Sequence, residues 1–323
     1  QTAKFDSQPG IAWEWMVDLC NRVDANMWIA VPHAANDDYH EKLATLIRDQ
    51  LKPSLKVYVE YSNEVWNFST QKNHATQMGS ELGISTQEYV AHRSAEMWQT
   101  FKNVFGESFE DRVVKVISGQ STNSGIGREQ LKYLYSDDNP TGLLPDAYGI
   151  APYFGGNGFD AGVSNPFKVL ETDIFEHRWN KPSGSSRIDN VETHYNMIKS
   201  YDDNLKLVCY EGGQHVNKNA TRVNYDPRMY DLYLRYLEAL DDYVDVFAHY
   251  VNCGTCDDGN CWGAKKYTGQ PADEAPKFRA LLDYANGVRS GVDTGAAVPS
   301  TFELGNYPNP FNASTTIQVN IEN

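Results

Sequence analysis

The chain reads as an α/β protein, a TIM-like (β/α)8 barrel in which six strands are visible. Three observations predict it. Short apolar runs alternate with longer amphipathic stretches, the pattern of parallel βαβ units. A length of 323 residues suits one large α/β barrel. The competing doubly wound sheet calls for a Gly-rich phosphate-binding turn after its first strand, and the sequence has none.

Taken in order, Ile11, Trp15, Val17, Leu19 and Val23 follow Pro9-Gly10 as the inward face of a helix over 11–23. The run 26–31 is apolar throughout and stops at Pro32-His33, as expected of a strand buried on both faces. Asp37 and Asp38 open a helix that runs to Leu51, where negative charge suits the N-terminus. Val57, Val59 and Tyr61 alternate with Tyr58, Glu60 and Ser62 in the next strand. A loop leads to a helix over 86–104. Then come a strand at 113–117, a short helix at 127–134 and a strand at 147–154 ending in Gly155-Gly156. The stretch 157–187 reads as loop. A helix at 188–200, a strand at 205–210, a helix at 228–240, a strand at 244–251 and a helix at 276–285 complete the pattern. The six strands thus begin near residues 26, 57, 113, 147, 206 and 244. Eight are needed to close a barrel, so a first strand, its helix and a second strand are expected upstream of residue 1. The barrel unit is placed at 1–287, a small and polar linker at 288–300, and a separate β element at 301–323.

A net charge of −15 argues against nucleic acid and anionic membrane as partners and leaves neutral polymers open. Twenty Tyr and seven Trp suit flat amphipathic ligands such as sugars, and equally a Tyr-rich core. No apolar run is long enough to span a bilayer, and no charged-plus-apolar leader opens the chain. Cys253-Gly-Thr-Cys256-Asp-Asp-Gly-Asn-Cys261 lacks the fourth ligand of a structural zinc site, which favours one disulfide within the loop over a metal. Cys20 and Cys209 sit in apolar patterns, as buried thiols do.

Two strands end in glutamate. Glu64 follows Ser62-Asn63 and precedes Val65-Trp66, and Glu211 precedes Gly212-Gly213. Parallel barrels gather their catalytic groups at the C-terminal ends of strands. Paired carboxyls there can split an acetal, one protonating the leaving oxygen and the other attacking the sugar or activating water. An ionised neighbour would make one of the pair keep its proton, and the reading assigns that proton to Glu64.

Ser62-Asn63-Glu64-Val65-Trp66 resembles the Asn-Glu at the end of strand four in the retaining (β/α)8 glycoside hydrolases of clan A, and Tyr210-Glu211-Gly212-Gly213 is similar to their strand-seven segment. With two strands counted upstream, the strand numbers agree. The resemblance covers residues 11–287. It implies a cellulase-, mannanase- or xylanase-like enzyme that cleaves β-linked poly- or oligosaccharide with retention and without a cofactor or metal. Glu64 would be the acid/base, Glu211 the nucleophile, and Asn63 the group bonded to the sugar 2-hydroxyl. It further implies that Tyr153 hydrogen-bonds Glu211, that Trp262 stacks on sugar, that His33 contacts a hydroxyl and that Trp66 walls the cleft. The clan's Arg near the first two strands has no counterpart here. Asn306-Tyr307-Pro308-Asn309-Pro310-Phe311-Asn312 resembles the start of the sorting domain of type IX secretion, which implies a bacterial, secreted or cell-surface protein handled by that machinery. A catalytically inactive carbohydrate-binding barrel is the alternative. An esterase would need a Gly-x-Ser-x-Gly elbow, which is not found.

Overall fold

The computed structural model describes residues 11–290 except Asn157, Asp257, Asp258 and Asn260, together with the backbone of short strands at Lys4–Phe5, Gln8–Pro9, Phe302–Tyr307 and Thr316–Ile321. Six strands make one parallel sheet in strict chain order: β1 (Met27–Val31), β2 (Val57–Tyr61), β3 (Val113–Ser118), β4 (Ala147–Ile150), β5 (Lys206–Cys209) and β6 (Val246–Phe247). With every neighbour parallel and sequential, each connection is a helical crossover, and the result is a half-barrel. The pairings Met27↔Val57↔Val113 and Ala147↔Lys206 align the strand starts, so their C-terminal ends also finish together.

The outer face of the sheet holds the main core. Met27, Ile29, Val31, Val57 and Val59 are all buried against helices, each contributing about 1.5–3 kcal/mol. Helix α1 (Trp13–Val23) precedes β1, α2 (Asp37–Gln50) links β1 to β2, and α3 (Thr70–Leu82) with α4 (Thr86–Phe105) links β2 to β3. Trp98 of α4 is fully buried and its indole donates to the Val59 carbonyl at 3.2 Å, so the ring fills the core without leaving an unpaired N–H. Helix α5 (Ser124–Leu134) joins β3 to β4, α6 (Pro166–Phe175) and α7 (Arg187–Lys199) join β4 to β5, α8 (Arg228–Asp241) joins β5 to β6, and α9 (Pro276–Ala285) follows. Side chains cap them as the residue types dictate: Asn36 accepts from Tyr39 N, and Ser85 with Glu88 and Ser186 with Asp189 form capping boxes.

The inner face is different in kind. Trp28 stacks flat on Tyr58, 5.1 Å between centroids, and its indole donates to Glu60 Oε2 at 2.9 Å. Val116, Ala147 and Val208 form a small separate cluster beside them.

Four expectations change. Helices α3 and α6 occupy stretches read as loop. In α3 only Ala75 and Gly79 are buried, so there was no apolar period to see; α6 starts from the Asn165 cap and Pro166 and buries Phe167, Leu170 and Ile174. Helix α1 carries two apolar stripes. The one through Trp13, Met16, Val17 and Cys20 packs on the core, and Ile11, Trp15, Leu19 and Val23, expected inside, are 60–76% exposed. Strand β6 is two residues long rather than the span 244–251, although Asp245, Ala248 and Tyr250 still donate to Leu207, Cys209 and Gly212. Cys20 is only partly buried, whereas Cys209 is buried as expected.

The loop disulfide is Cys256–Cys261, with Cys253 free. In the tail, Phe302–Tyr307 pairs antiparallel with Thr316–Ile321. The linker beyond Ser290 and the motif residues Pro308 to Asn312 lie outside the described residues. Among the described residues no helix is long and apolar enough to cross a membrane.

Candidate active site

Beyond Tyr61 the chain leaves β2 through two left-handed residues, Ser62 at φ 59° and Glu64 at φ 49°. Neither is glycine, so each costs about 1–3 kcal/mol, a local strain that the surrounding contacts must hold. Gln71 Nε2 of α3 bonds the Asn63 carbonyl at 3.0 Å, and Asn67 Nδ2 donates to Glu64 Oε2 at 3.1 Å. The Tyr210 hydroxyl approaches Glu64 Oε1 at 3.5 Å. The strained turn thus ends on a carboxyl held by two donors.

Glu211 leaves β5 into Gly212-Gly213, and packing explains both glycines. A Cβ at Gly212 would stand 2.8 Å from the Phe247 ring. Gly213 has φ 121° and a Cβ there would lie 2.9 Å from both His249 Nε2 and the Tyr233 hydroxyl. The Phe154 N–H donates to the Gly213 carbonyl at 3.0 Å, tying this turn to the extension of β4.

Glu64 and Tyr153 both act on Glu211: the Glu64 charge and hydrogen bonding favour its neutral form, and hydrogen bonding by the Tyr153 hydroxyl favours its ionised form. Burial first, then the Glu64 charge, pushes Glu211 up to about 7. This upward push on Glu211 runs against its expected place as the ionised member of the pair. Tyr153 acts the other way, because a hydroxyl donating to Glu211 favours the ionised form. A third carboxyl lies below them. Glu60 is 3% exposed, and burial pushes it up to about 7 against the Trp28 hydrogen bond. It shares a small cavity of about 10 Å³, roughly one water in size, with Glu64 and Ser118.

Loops after five of the six strands line one open cleft of about 620 Å³. Asn63, Glu64 and Trp66 come from β2, Tyr153 from β4, Glu211 from β5 and Trp262 from beyond β6, so six of the seven residues singled out in the sequence share it. His33 does not line it. Its ring packs at 5.2 Å on His74, and its carbonyl accepts from the Tyr61 hydroxyl, because β1 ends at the side of the sheet away from Glu211. Trp262 leans on His215 at 5.4 Å and Tyr250 at 6.0 Å. Lys277 of α9, 1% exposed, fixes that loop by donating to the Cys261 and Trp262 carbonyls and to Gln214 Oε1.

Sequence reading missed Gln120, Ser121 and Thr122 after β3, Arg178 and Arg187 after β4, His215 and Tyr250. Strand position could have found the first three, which directly follow β3. Nothing local marks the arginines. Glu60 was legible only as the polar half of an alternating strand. Among the described residues no group of three or more His, Cys, Asp or Glu is placed to hold a metal.

No protein-family model and no curated protein matches the chain. Solved structures do. A GH39 enzyme from Xanthomonas axonopodis pv. citri aligns with TM-score 0.51 at 10% identity over 89% of this chain and 57% of its own. A GH39 β-xylosidase from Caulobacter crescentus aligns with TM-score 0.50 at 10% identity over 89% and 61%. An endo-β-1,4-mannanase double mutant from Cellulomonas fimi aligns with TM-score 0.42 at 13% identity over 88% and 56%. The chain thus spans about three-fifths of the length of the two GH39 structures. The likeness is one of fold: the six-stranded half-barrel corresponds to part of the barrel of the two GH39 structures.

Proposed function

We propose that this chain is a glycoside hydrolase that cleaves a β-linked poly- or oligosaccharide with retention, using Glu64 as acid/base and Glu211 as nucleophile and no cofactor. The observation that carries this is that the two carboxyls line one open cleft at the strand ends and act on each other there. Inverting enzymes keep their carboxyls about 6.5–9.5 Å apart to admit a water, and retaining ones about 5–5.5 Å. Hydrogen bonding between Glu64 and Glu211 favours the closer arrangement, and with it direct attack. The likeness in fold to glycoside hydrolases supports the same class.

In this mechanism the pair holds one proton near neutral pH. The mechanism requires that proton on Glu64 when the glycosidic oxygen arrives; the Tyr153 hydrogen bond works toward this by favouring ionised Glu211, against burial and the Glu64 charge. Glu64 protonates that oxygen as the bond to the anomeric carbon breaks, and a Glu211 oxygen closes on the opposite face. Glu64, now ionised, takes a proton from water, and the hydroxide displaces Glu211. Asn63, at the exposed rim, bonds the 2-hydroxyl, and Trp262 and Trp66 wall the sugar. On this reading the unit 1–287 is the catalytic part, 288–300 a linker, and 301–323 the start of a sorting element for export to the bacterial surface or medium.

The test is hydrolysis of β-glucan, mannan, xylan and chitin with the first-formed anomer read by NMR, for the wild type and Glu64→Gln. Retention, with loss of about 10²–10⁴ in rate in the variant, is expected. A carbohydrate-binding barrel would bind one of these polymers with no turnover in either protein.

A further inference from the structure

The loop between β4 and α7 brings two guanidinium groups into the cleft that holds Glu64 and Glu211. Arg187 opens α7 and is 6% exposed. It donates from Nε to Asp173 Oδ2 at 2.9 Å and from Nη2 to Oδ1 at 3.3 Å. Asp173, fully buried, also accepts from Gly155 N at 2.9 Å and Trp179 N at 3.0 Å. Four donors are the full complement of a carboxylate, so Asp173 has nothing left to offer a second cation.

Arg178 is that second cation. Its guanidinium has no ion pair or hydrogen bond among the described residues, and its Nε is buried without a partner. Burial and the adjacent Arg187 both work against its charge. The buried, unpaired Nε costs about 1–3 kcal/mol. Asp173 acts electrostatically on Arg178 as well, but one carboxylate among two cations leaves this Arg–Asp–Arg group net positive. The chain as a whole carries −15, so a positive cleft wall does not follow from its composition.

The position is also close to the reacting groups. Arg187 acts electrostatically on His215, whose ring lies 5.4 Å from Tyr153 and 5.4 Å from Trp262. Tyr153 in turn reaches Glu211. Gly156 passes close to Arg187: a Cβ there would stand 3.2 Å from Arg187 Nη2.

Arg187 is held by Asp173, whereas Arg178 has an unpaired Nε and a charge that the hydroxyls of a neutral sugar can hydrogen-bond but not neutralise. We propose that the cleft takes a sugar bearing an anionic oxygen group, a uronate carboxylate or a sulfate ester, seated against Arg178 and Arg187 beside the carboxyl pair. The proposal rests on the cleft being a glycan site. Such a group supplies the acceptors that Arg178 lacks, in the bidentate geometry guanidinium groups favour.

Calorimetric titration of the whole chain with three β-1,4-linked trisaccharides tests it: glucuronic acid, its carboxyl-reduced glucose counterpart, and 6-O-sulfated glucose. One charge-assisted contact gives a preference of about tenfold or more for an anionic ligand over the neutral one. Arg178→Gln collapses that ratio, and Arg178→Lys retains part of it. Preference for the uronate or for the sulfate alone identifies the source of the anion. An anionic-to-neutral ratio near one in the wild type overturns the proposal and leaves the hydrolase reading standing, as does a ratio untouched by Arg178→Gln. Binding of none of the three removes the glycan site and the proposal with it.

Discussion

Tyr153 and Glu64 flank Glu211 and work in opposite directions on it: the carboxylate neighbour adds to the upward push of burial, and the phenol hydroxyl draws it down. The charge state of the site is set by which of these contacts is kept.

Tyr153→Phe removes the donor that favours ionised Glu211 while the burial and the Glu64 charge remain. The ascending limb of kcat/KM against pH moves to higher pH, and kcat at neutral pH falls about tenfold, the worth of one hydrogen bond to a charged group. A pH–rate profile of the variant against wild type checks this. An unmoved limb places the control of Glu211 elsewhere.

Glu60 supplies a test by stability. Its pKa rises from 4.5 unfolded to about 7 folded, so the folded state binds the extra proton between those values. The sign follows: the contribution is fully present below pH 4.5 and is lost as pH rises through 7. Glu60→Gln stays neutral throughout and can still accept from the Trp28 indole. Its stability relative to wild type rises with pH across that window by up to about 1.4 kcal/mol per pH unit, measured by urea unfolding at a series of pH values. A pH-independent difference would mean that Glu60 is not buried as an acid.

Lys277 organises the sugar-wall loop from behind. Lys277→Met keeps most of the volume and abandons the Cys261 and Trp262 carbonyls and the Gln214 side chain, at about 1–3 kcal/mol for each group left dry. Thermal unfolding shows the loss of stability. With Trp262 no longer fixed, KM is expected to rise more than kcat falls; the reverse would mean that the loop serves the chemistry and not sugar binding.

The sequence carried the strands and the carboxyl pair, and physics says why. Strands such as Val57–Tyr61 sit in a parallel sheet whose outer face must be apolar, so their pattern survives in the residues themselves. Chain topology then puts Glu64 and Glu211 at the same end of the sheet, on the non-adjacent strands β2 and β5. Arg178 was illegible because its place depends on the loop between α6 and α7, held by Asp173 through backbone N–H groups that no residue pattern encodes. The face chosen by α1 was illegible because Trp13, Met16, Val17 and Cys20 make as good a stripe as Ile11, Trp15, Leu19 and Val23, and only packing on β1 and α2 decides. His33 was misplaced from strand position alone, since the end of β1 points its ring at His74 and not at the pair.

The most direct test of the two-carboxyl account is covalent trapping with activated 2-deoxy-2-fluoro-β-glycosides of glucose, xylose, mannose and glucuronic acid, read by peptide mass spectrometry. The account predicts one glycosyl adduct, on the peptide containing Glu211, formed with at least one of these sugars and absent in Glu211→Gln. Turnover of the matching natural glycan with no adduct, or with an adduct on any other residue, would contradict it.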